Sequence, residues 1–175
     1  EVLHLLKSKF GYDSFRPGQE DVISSLLGGR NVLAVMPTGS GKSMCFQIPA
    51  LIRDGLTVVV SPLVALMEDQ VAALRLAGIE AGTINSSRHR EDNVNTWRDV
   101  AAGVVRLLYI APERLMTDRM ISALRKLPVT MIAVDEAHCI SRWGPSFRPD
   151  YENLGSLRSH FPEVPMAALT ATADE

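Results

Sequence analysis

Six short, almost wholly apolar runs recur along the chain: Asn31–Met36, Thr57–Ser61, Ala81–Ile84, Val105–Ile110, Met131–Asp135 and Val164–Leu169. A strand with one wet face alternates apolar and polar residues; runs without that alternation belong to strands covered on both faces. The stretches around them carry helical spacing: Val2–Lys9, Gln19–Leu27, Lys42–Leu51, Leu63–Leu76, Glu91–Ala101, Arg119–Leu127 and Tyr151–His160. In Leu63–Leu76, the residues Leu63, Leu66, Met67, Gln70, Val71 and Leu74 fall on one helical face, suited to lie on a sheet. Strands that alternate with helices are joined by right-handed crossovers. The pattern predicts an α/β domain with a mostly parallel central sheet and helices on both faces. Such sheets bind ligands beyond the carboxyl ends of their strands. The chemistry-bearing residues are expected just after strands.

The 175 residues match one ordinary domain, and 46% apolar against 22% charged residues allows a packed core. Eighteen Lys and Arg against twenty Asp and Glu give a net charge of -2. That excludes a polybasic binder working by bulk attraction, so any nucleic-acid contact has to come from a local patch. Cys45 and Cys139 are too few for a disulfide framework or a cysteine-based zinc site. No apolar run approaches the ~20 residues of a membrane-spanning helix, and no repeat or linker interrupts the chain. The first residue is Glu1 rather than Met, with no signal-peptide pattern after it. The expectation is a piece of a longer intracellular protein.

The first run leads into Pro37-Thr38-Gly39-Ser40-Gly41-Lys42-Ser43, and a helix follows. Successive backbone N–H groups in such a loop point at one anion, and the helix adds its positive end. Gly39 and Gly41 allow the tight backbone and the close approach of phosphate. Lys42 reaches the β- and γ-phosphates, and the Ser43 hydroxyl holds Mg²⁺. The strict phosphate-loop pattern has a further glycine where this chain has Met36. The alternative is a glycine-rich turn that binds nothing. The loop alone points to a nucleoside triphosphate without separating kinase, GTPase and motor.

The fifth run ends in Asp135-Glu136-Ala137-His138. A carboxylate just past a buried strand is placed to complete a Mg²⁺–ATP site. Asp135 holds the metal through water, because Mg²⁺ keeps much of its hydration. Glu136 polarises or deprotonates the attacking water, which favours hydrolysis over transfer to a second substrate. The alternative is a solvated acidic pair opening a helix. No ligand set near His138 and Cys139 has zinc spacing.

Together these residues resemble the first motor domain of a RecQ-family DNA helicase, over nearly the whole chain. The resemblance implies a RecA-like P-loop NTPase domain across residues 1–175, with ATP and Mg²⁺ as cofactors and a second motor domain elsewhere in the parent protein. It also accounts for Met36, since related loops commonly lack that glycine. Phe10-Gly11-Tyr12-Asp13-Ser14-Phe15-Arg16-Pro17-Gly18-Gln19 resembles the family's adenine-reading segment. By that resemblance Gln19 hydrogen-bonds the adenine edge, while Tyr12 and Arg16 pack on its faces. The alternative there is a helix entry with Tyr12 and Phe15 in the core.

Ser61-Pro62-Leu63, Asn85-Ser86-Ser87 and Tyr109–Leu115 match family segments that border the track for single-stranded DNA. The resemblance has Ser61 and nearby main-chain N–H groups touching phosphate, without sequence preference; the alternative is an ordinary strand-to-helix turn. His138, in the family's acidic box, links the phosphate site to that track. Arg142, Trp143, Phe147 and Arg148 lie in a Gly/Pro-rich aromatic loop, where exposed rings stack on bases of any sequence. The family's loop usually reads Trp-Gly-His-Asp-Phe-Arg-Pro; here Pro145 and Ser146 replace the His and Asp. The alternative buries Trp143 and Phe147 beneath the loop. Thr170 and Thr172, in the motif that closes the domain, bridge the acidic box and the track, or serve as ordinary strand-end hydroxyls.

The function implied is the N-terminal motor of an ATP-dependent helicase moving 3′-to-5′ on single-stranded and partly duplex DNA, with no membrane role. Its place would be the cytoplasm or nucleoid of a bacterium, or a nucleus. The competing readings are an RNA helicase or duplex remodeller, a degenerate nucleotide-gated DNA-binding module, and, more distantly, a P-loop kinase. No Arg here sits in a motif for stabilising the transferring phosphoryl group. The 175 residues alone are therefore expected to bind Mg²⁺–ATP weakly and hardly to turn it over.

Overall fold

The computed structural model describes residues 2–36, 41–135 and 157–171. Six strands form one sheet: β1 (Val32–Met36), β2 (Leu56–Val60), β3 (Ala81–Ile84), β4 (Leu107–Ile110), β5 (Val129–Val134) and β6 (Met166–Ala171). Their order across the sheet is β1-β6-β5-β2-β4-β3, and all five pairings are parallel. The helices are α1 (Val2–Phe10), α2 (Gln19–Leu27), α3 (Met44–Ile52), α4 (Val64–Leu76), α5 (Arg90–Ala101), α6 (Pro112–Leu115), α7 (Asp118–Arg125) and α8 (Leu157–His160).

Strand order dictates which face each helix covers. From β1 to β2 to β3 the chain steps outward across the sheet, and α3 and α4 bury Phe46, Ala50, Met67, Val71 and Leu74 on one face. From β3 back to β6 it steps the other way. There α5, α6, α7 and α8 bury Val100, Leu115, Ile121, Leu124 and Leu157 on the opposite face. A constant crossover hand requires that reversal. A smaller cluster, Leu6, Ile23, Met44 and Ile48, fastens α1 and α2 to α3.

Three expectations shift. The edge strand β1 is not covered on both faces, with Leu33 75% and Val35 58% exposed. Helix α3 starts at Met44, leaving Lys42 and Ser43 in the turn before it. The short α6 carries Pro112 in its first turn, where a missing N–H is harmless, and is too brief to show helical periodicity. The expected helix Tyr151–His160 is described only from Leu157 onward.

Two arginines pin the ends of helices to the sheet. Arg53 donates through Nη2 to the carbonyls of Leu26 and Leu27 at 3.0 and 2.8 Å, closing the end of α2. Arg106 donates to the carbonyls of Ala50, Leu51 and Arg53 at 3.1, 3.3 and 2.8 Å, closing the end of α3. The last carbonyls of a helix lack internal partners, and a guanidinium supplies both hydrogen bonds and charge. Among the described residues no helix is long and apolar enough to cross a membrane.

Candidate active site

The site is built at the carboxyl ends of β1 and β5. Lys42 stands in the turn entering α3, and its ammonium lies 3.1 Å from Asp135 Oδ1. Asp135 follows directly on β5, and its N–H extends the ladder by donating to the Val60 carbonyl at 2.8 Å. Its side chain is 1% exposed and that of Lys42 15%, so the two charges meet in a nearly dry pocket. Ser43 opens α3, where helix N–H groups favour an anion. The donors are all hard oxygens beside a preformed cation contact. That chemistry fits Mg²⁺, which takes one or two carboxylates and otherwise keeps water or phosphate oxygens.

Gly41 is held by two conditions. Its φ is +74°, and a Cβ built there would come within 2.6 Å of Gln19 Nε2. Gln19 itself is buried; its amide donates to the Gly41 carbonyl at 2.9 Å and accepts from the Arg16 N–H at 2.8 Å. The segment before α2 is thus tied to the end of the phosphate loop across 22 residues. Of the two aromatics in that segment, Phe15 packs against the Leu6–Ile48 cluster while Tyr12 is 48% exposed. The core alternative holds for Phe15 alone; Tyr12 and Arg16 stand at the surface.

Deeper in the fold a polar chain continues from the carboxylate. Gln70 on α4 faces Asp135 Oδ2 at 3.5 Å, and Tyr109 on β4 donates to Gln70 Oε1 at 2.7 Å. Gln47 on α3 donates to the Tyr109 hydroxyl at 2.9 Å. Burial pushes the Tyr109 phenol well above its ordinary range, with the Gln47 hydrogen bond opposing and the Asp135 charge reinforcing. It stays a neutral donor at any physiological pH. Sequence reasoning placed Gln70 on the sheet-facing side of its helix, in a segment Ala65–Gln70 that resembles the family's, and Tyr109 in a segment bordering the strand track, but gave neither of them, nor Gln47, a role at the nucleotide site. The available signal was a polar residue beside apolar ones: Gln47 inside Met44–Ile52, and the half-buried Gln70 next to the buried Met67, Val71 and Leu74 of α4.

Along the rim, Ser61 is 1% exposed and its hydroxyl accepts from the Leu63 N–H at 3.2 Å. That is a turn at the entry to α4, in which the hydroxyl is used as an acceptor and keeps its own proton to donate. Asn85 is fully buried; its side-chain Oδ1 accepts from the Ser87 N–H at 3.0 Å, and its Nδ2 donates to Glu68 at 3.3 Å. The Ser86 hydroxyl reaches Glu113 at 3.4 Å, joining two of the three segments expected to border a strand track. Cys45 is a buried free thiol beside Met36 Sδ at 3.8 Å, pushed up to about 12 chiefly by burial.

Thr38, Gly39, Ser40, Glu136, His138, Arg142, Trp143, Phe147, Arg148 and Thr172 lie outside the described residues, as do Pro145, Ser146 and the side chain of Thr170.

Comparison with known proteins adds a family. Residues 16–175 match the DEAD/DEAH box helicase model. The chain is 52% identical over 173 residues to the ATP-dependent DNA helicase RecQ of Haemophilus influenzae, covering 99% of this chain and 28% of that protein. It is 49% identical over 173 residues to the RecQ of Pasteurella multocida, covering 99% of this chain and 27% of that one. The chain thus spans little more than a quarter of the length of these relatives. The solved structure of the helicase MrfA bound to DNA and AMPPNP shares the fold, with TM-score 0.75 over 98% of this chain and 26% of that one, at 18% identity.

Proposed function

The chain belongs to the DEAD/DEAH box helicase family, and from that premise we propose that it is the first motor domain of a RecQ-type, ATP-dependent DNA helicase. The observation that carries this is the Lys42–Asp135 contact at 3.1 Å: a cation from the phosphate loop and a carboxylate from the acidic box share one pocket. Lys42 turns to the β- and γ-phosphates of ATP. Ser43 and Asp135 hold Mg²⁺, which supplies charge neutralisation on the phosphate oxygens. Glu136 orients and deprotonates the attacking water, with the glycine loop from Thr38 to Gly41 cradling the phosphates. Tyr12, Arg16 and Gln19 receive the adenine.

Single-stranded DNA crosses the rim formed by the segments at Ser61, Asn85–Ser87 and Tyr109–Leu115, with Arg142, Trp143, Phe147 and Arg148 stacking and pairing on it. His138, Thr170 and Thr172 connect that track to the phosphate site. A second motor domain of the parent chain completes the ATP pocket and the track. Closing on ATP and opening after hydrolysis moves the strand 3′-to-5′ and separates the duplex. The protein then works in the cytoplasm or nucleoid of a bacterium, or in a nucleus.

The test is turnover of the full-length parent with single-stranded DNA and with RNA of matched length. Stimulation by DNA well above that by RNA is expected. Equal or greater stimulation by RNA contradicts the DNA assignment, and no turnover with either contradicts the motor.

A further inference from the structure

The polar chain behind Asp135 has a single sense. An amide has one acceptor end and one donor end, and a phenol has one proton to give. Gln70 Oε1 takes the Tyr109 hydroxyl at 2.7 Å and faces Gln47 Nε2 at 3.5 Å, so two donors converge on that oxygen. Tyr109 in turn receives Gln47 Nε2 at 2.9 Å, which commits its own proton to Gln70. The Gln70 nitrogen therefore has to face Asp135, and it lies 3.5 Å from Oδ2.

Gln70 is half-buried, at the border of the apolar face of α4. Its neighbours on the same face of α4, Met67, Val71 and Leu74, are buried in the apolar cluster. The part of its amide turned inward costs free energy unless it is hydrogen-bonded. Here its partners are the network and the carboxylate.

Asp135 offers its two oxygens to different neighbours: Oδ1 to the Lys42 ammonium at 3.1 Å, Oδ2 to Gln70. The terminal torsion of an aspartate is broad, so a contact on the second oxygen narrows how far the carboxylate can turn when a partner leaves the first. We propose that Gln70 is a positioning residue for nucleotide chemistry: its amide, locked in one sense by Tyr109 and Gln47, keeps Asp135 aimed when the Lys42 ammonium turns from Oδ1 to the phosphates. The inference rests on Lys42 and Asp135 being the two halves of a Mg²⁺–ATP site. Groups that orient a ligating side chain from behind commonly change metal affinity or activity by ~10–100-fold when removed.

The experiment uses the full-length parent and its Gln70→Met and Tyr109→Phe forms. Fluorescent ADP is titrated with Mg²⁺ and with EDTA, and the Mg²⁺ half-saturation of binding and the melting temperature are read alongside. Gln70→Met is expected to weaken Mg²⁺-dependent binding about tenfold and leave binding in EDTA unchanged. Tyr109→Phe frees the amide to turn its oxygen toward Asp135, and a smaller loss in the same direction is expected. The double variant is expected to be no worse than Gln70→Met, because both changes act through one amide. Variants that melt earlier yet keep the wild-type Mg²⁺ half-saturation overturn the inference and leave the three residues as core packing. Should Gln70→Met fail to fold, Tyr109→Phe, which removes a hydroxyl and nothing else, decides between the same two outcomes. A wild-type parent that binds ADP no better with Mg²⁺ than with EDTA overturns the site assignment as well, an outcome visible before any variant is made.

Discussion

Lys42 Nζ and Asp135 Oδ1 lie 3.1 Å apart although β6 separates the strands that deliver them, β1 and β5. Neighbouring parallel strands end at one rim, so two short segments far apart in sequence meet there. With Asp135 1% exposed, removing the ammonium leaves a buried carboxylate short of its charge partner. Lys42→Met should lower stability by about 3 kcal/mol, and adding Asp135→Asn should recover much of the loss, because the buried charge is gone. Urea denaturation of the single and double variants checks the order.

Gly41→Ala should weaken nucleotide binding and stability together. The residue adopts φ +74°, and its Cβ would press on the Gln19 amide. The strain of a side chain in that backbone region is about 1–3 kcal/mol, and relieving it requires moving either the loop or Gln19. Nucleotide titration and thermal melting of the same variant should both show the loss.

Arg106→Met should leave chemistry intact and loosen the end of α3. Its guanidinium serves three carbonyls at once, and losing hydrogen bonds from a charged donor costs about 1.5–3 kcal/mol. Hydrogen exchange should quicken at the end of α3 before it does in β2 or β5.

Cys45 makes the fold sensitive to alkali. Its thiol rises from an ordinary value of 9.0 to about 12, mainly through burial. The unfolded chain loses that proton first, so the folded state is favoured fully below pH 9 and the contribution drains away as pH climbs toward 12. In a Cys139→Ser background, alkylation of Cys45 at a pH of about 8 should be slow and accelerate only with global unfolding. Cys45→Ala should flatten the alkaline decline in stability.

The sheet was legible because short apolar runs set between helical stretches fit buried strands and little else. Ala81–Ile84 matches β3 at both ends, and the other strands move by only a few residues. What a run does not carry is its place in the sheet. Leu33 and Val35 read as buried, yet they lie exposed on β1, which stands at the edge of the sheet. The convergence of Lys42 and Asp135 was legible for a similar reason: both follow strands, and parallel strands share a rim. The links from Gln19 to Gly41, Arg106 to α3 and Gln70 to Asp135 were not. Each joins residues whose spacing follows no helix or strand period, so only the folded chain brings them together. Ser61 shows the converse, since a serine after a strand reads alike whether its hydroxyl meets a phosphate or, as here, the Leu63 N–H.

The most direct measurement is ATP turnover by the full-length parent, stimulated by single-stranded DNA, in wild-type and Lys42→Ala forms. Loss of stabilising charge at a transferring phosphoryl group is worth ~10³ or more in rate, so Lys42→Ala should fall at least that far while still melting cooperatively. A folded Lys42→Ala protein that turns over ATP at the wild-type rate would contradict the account.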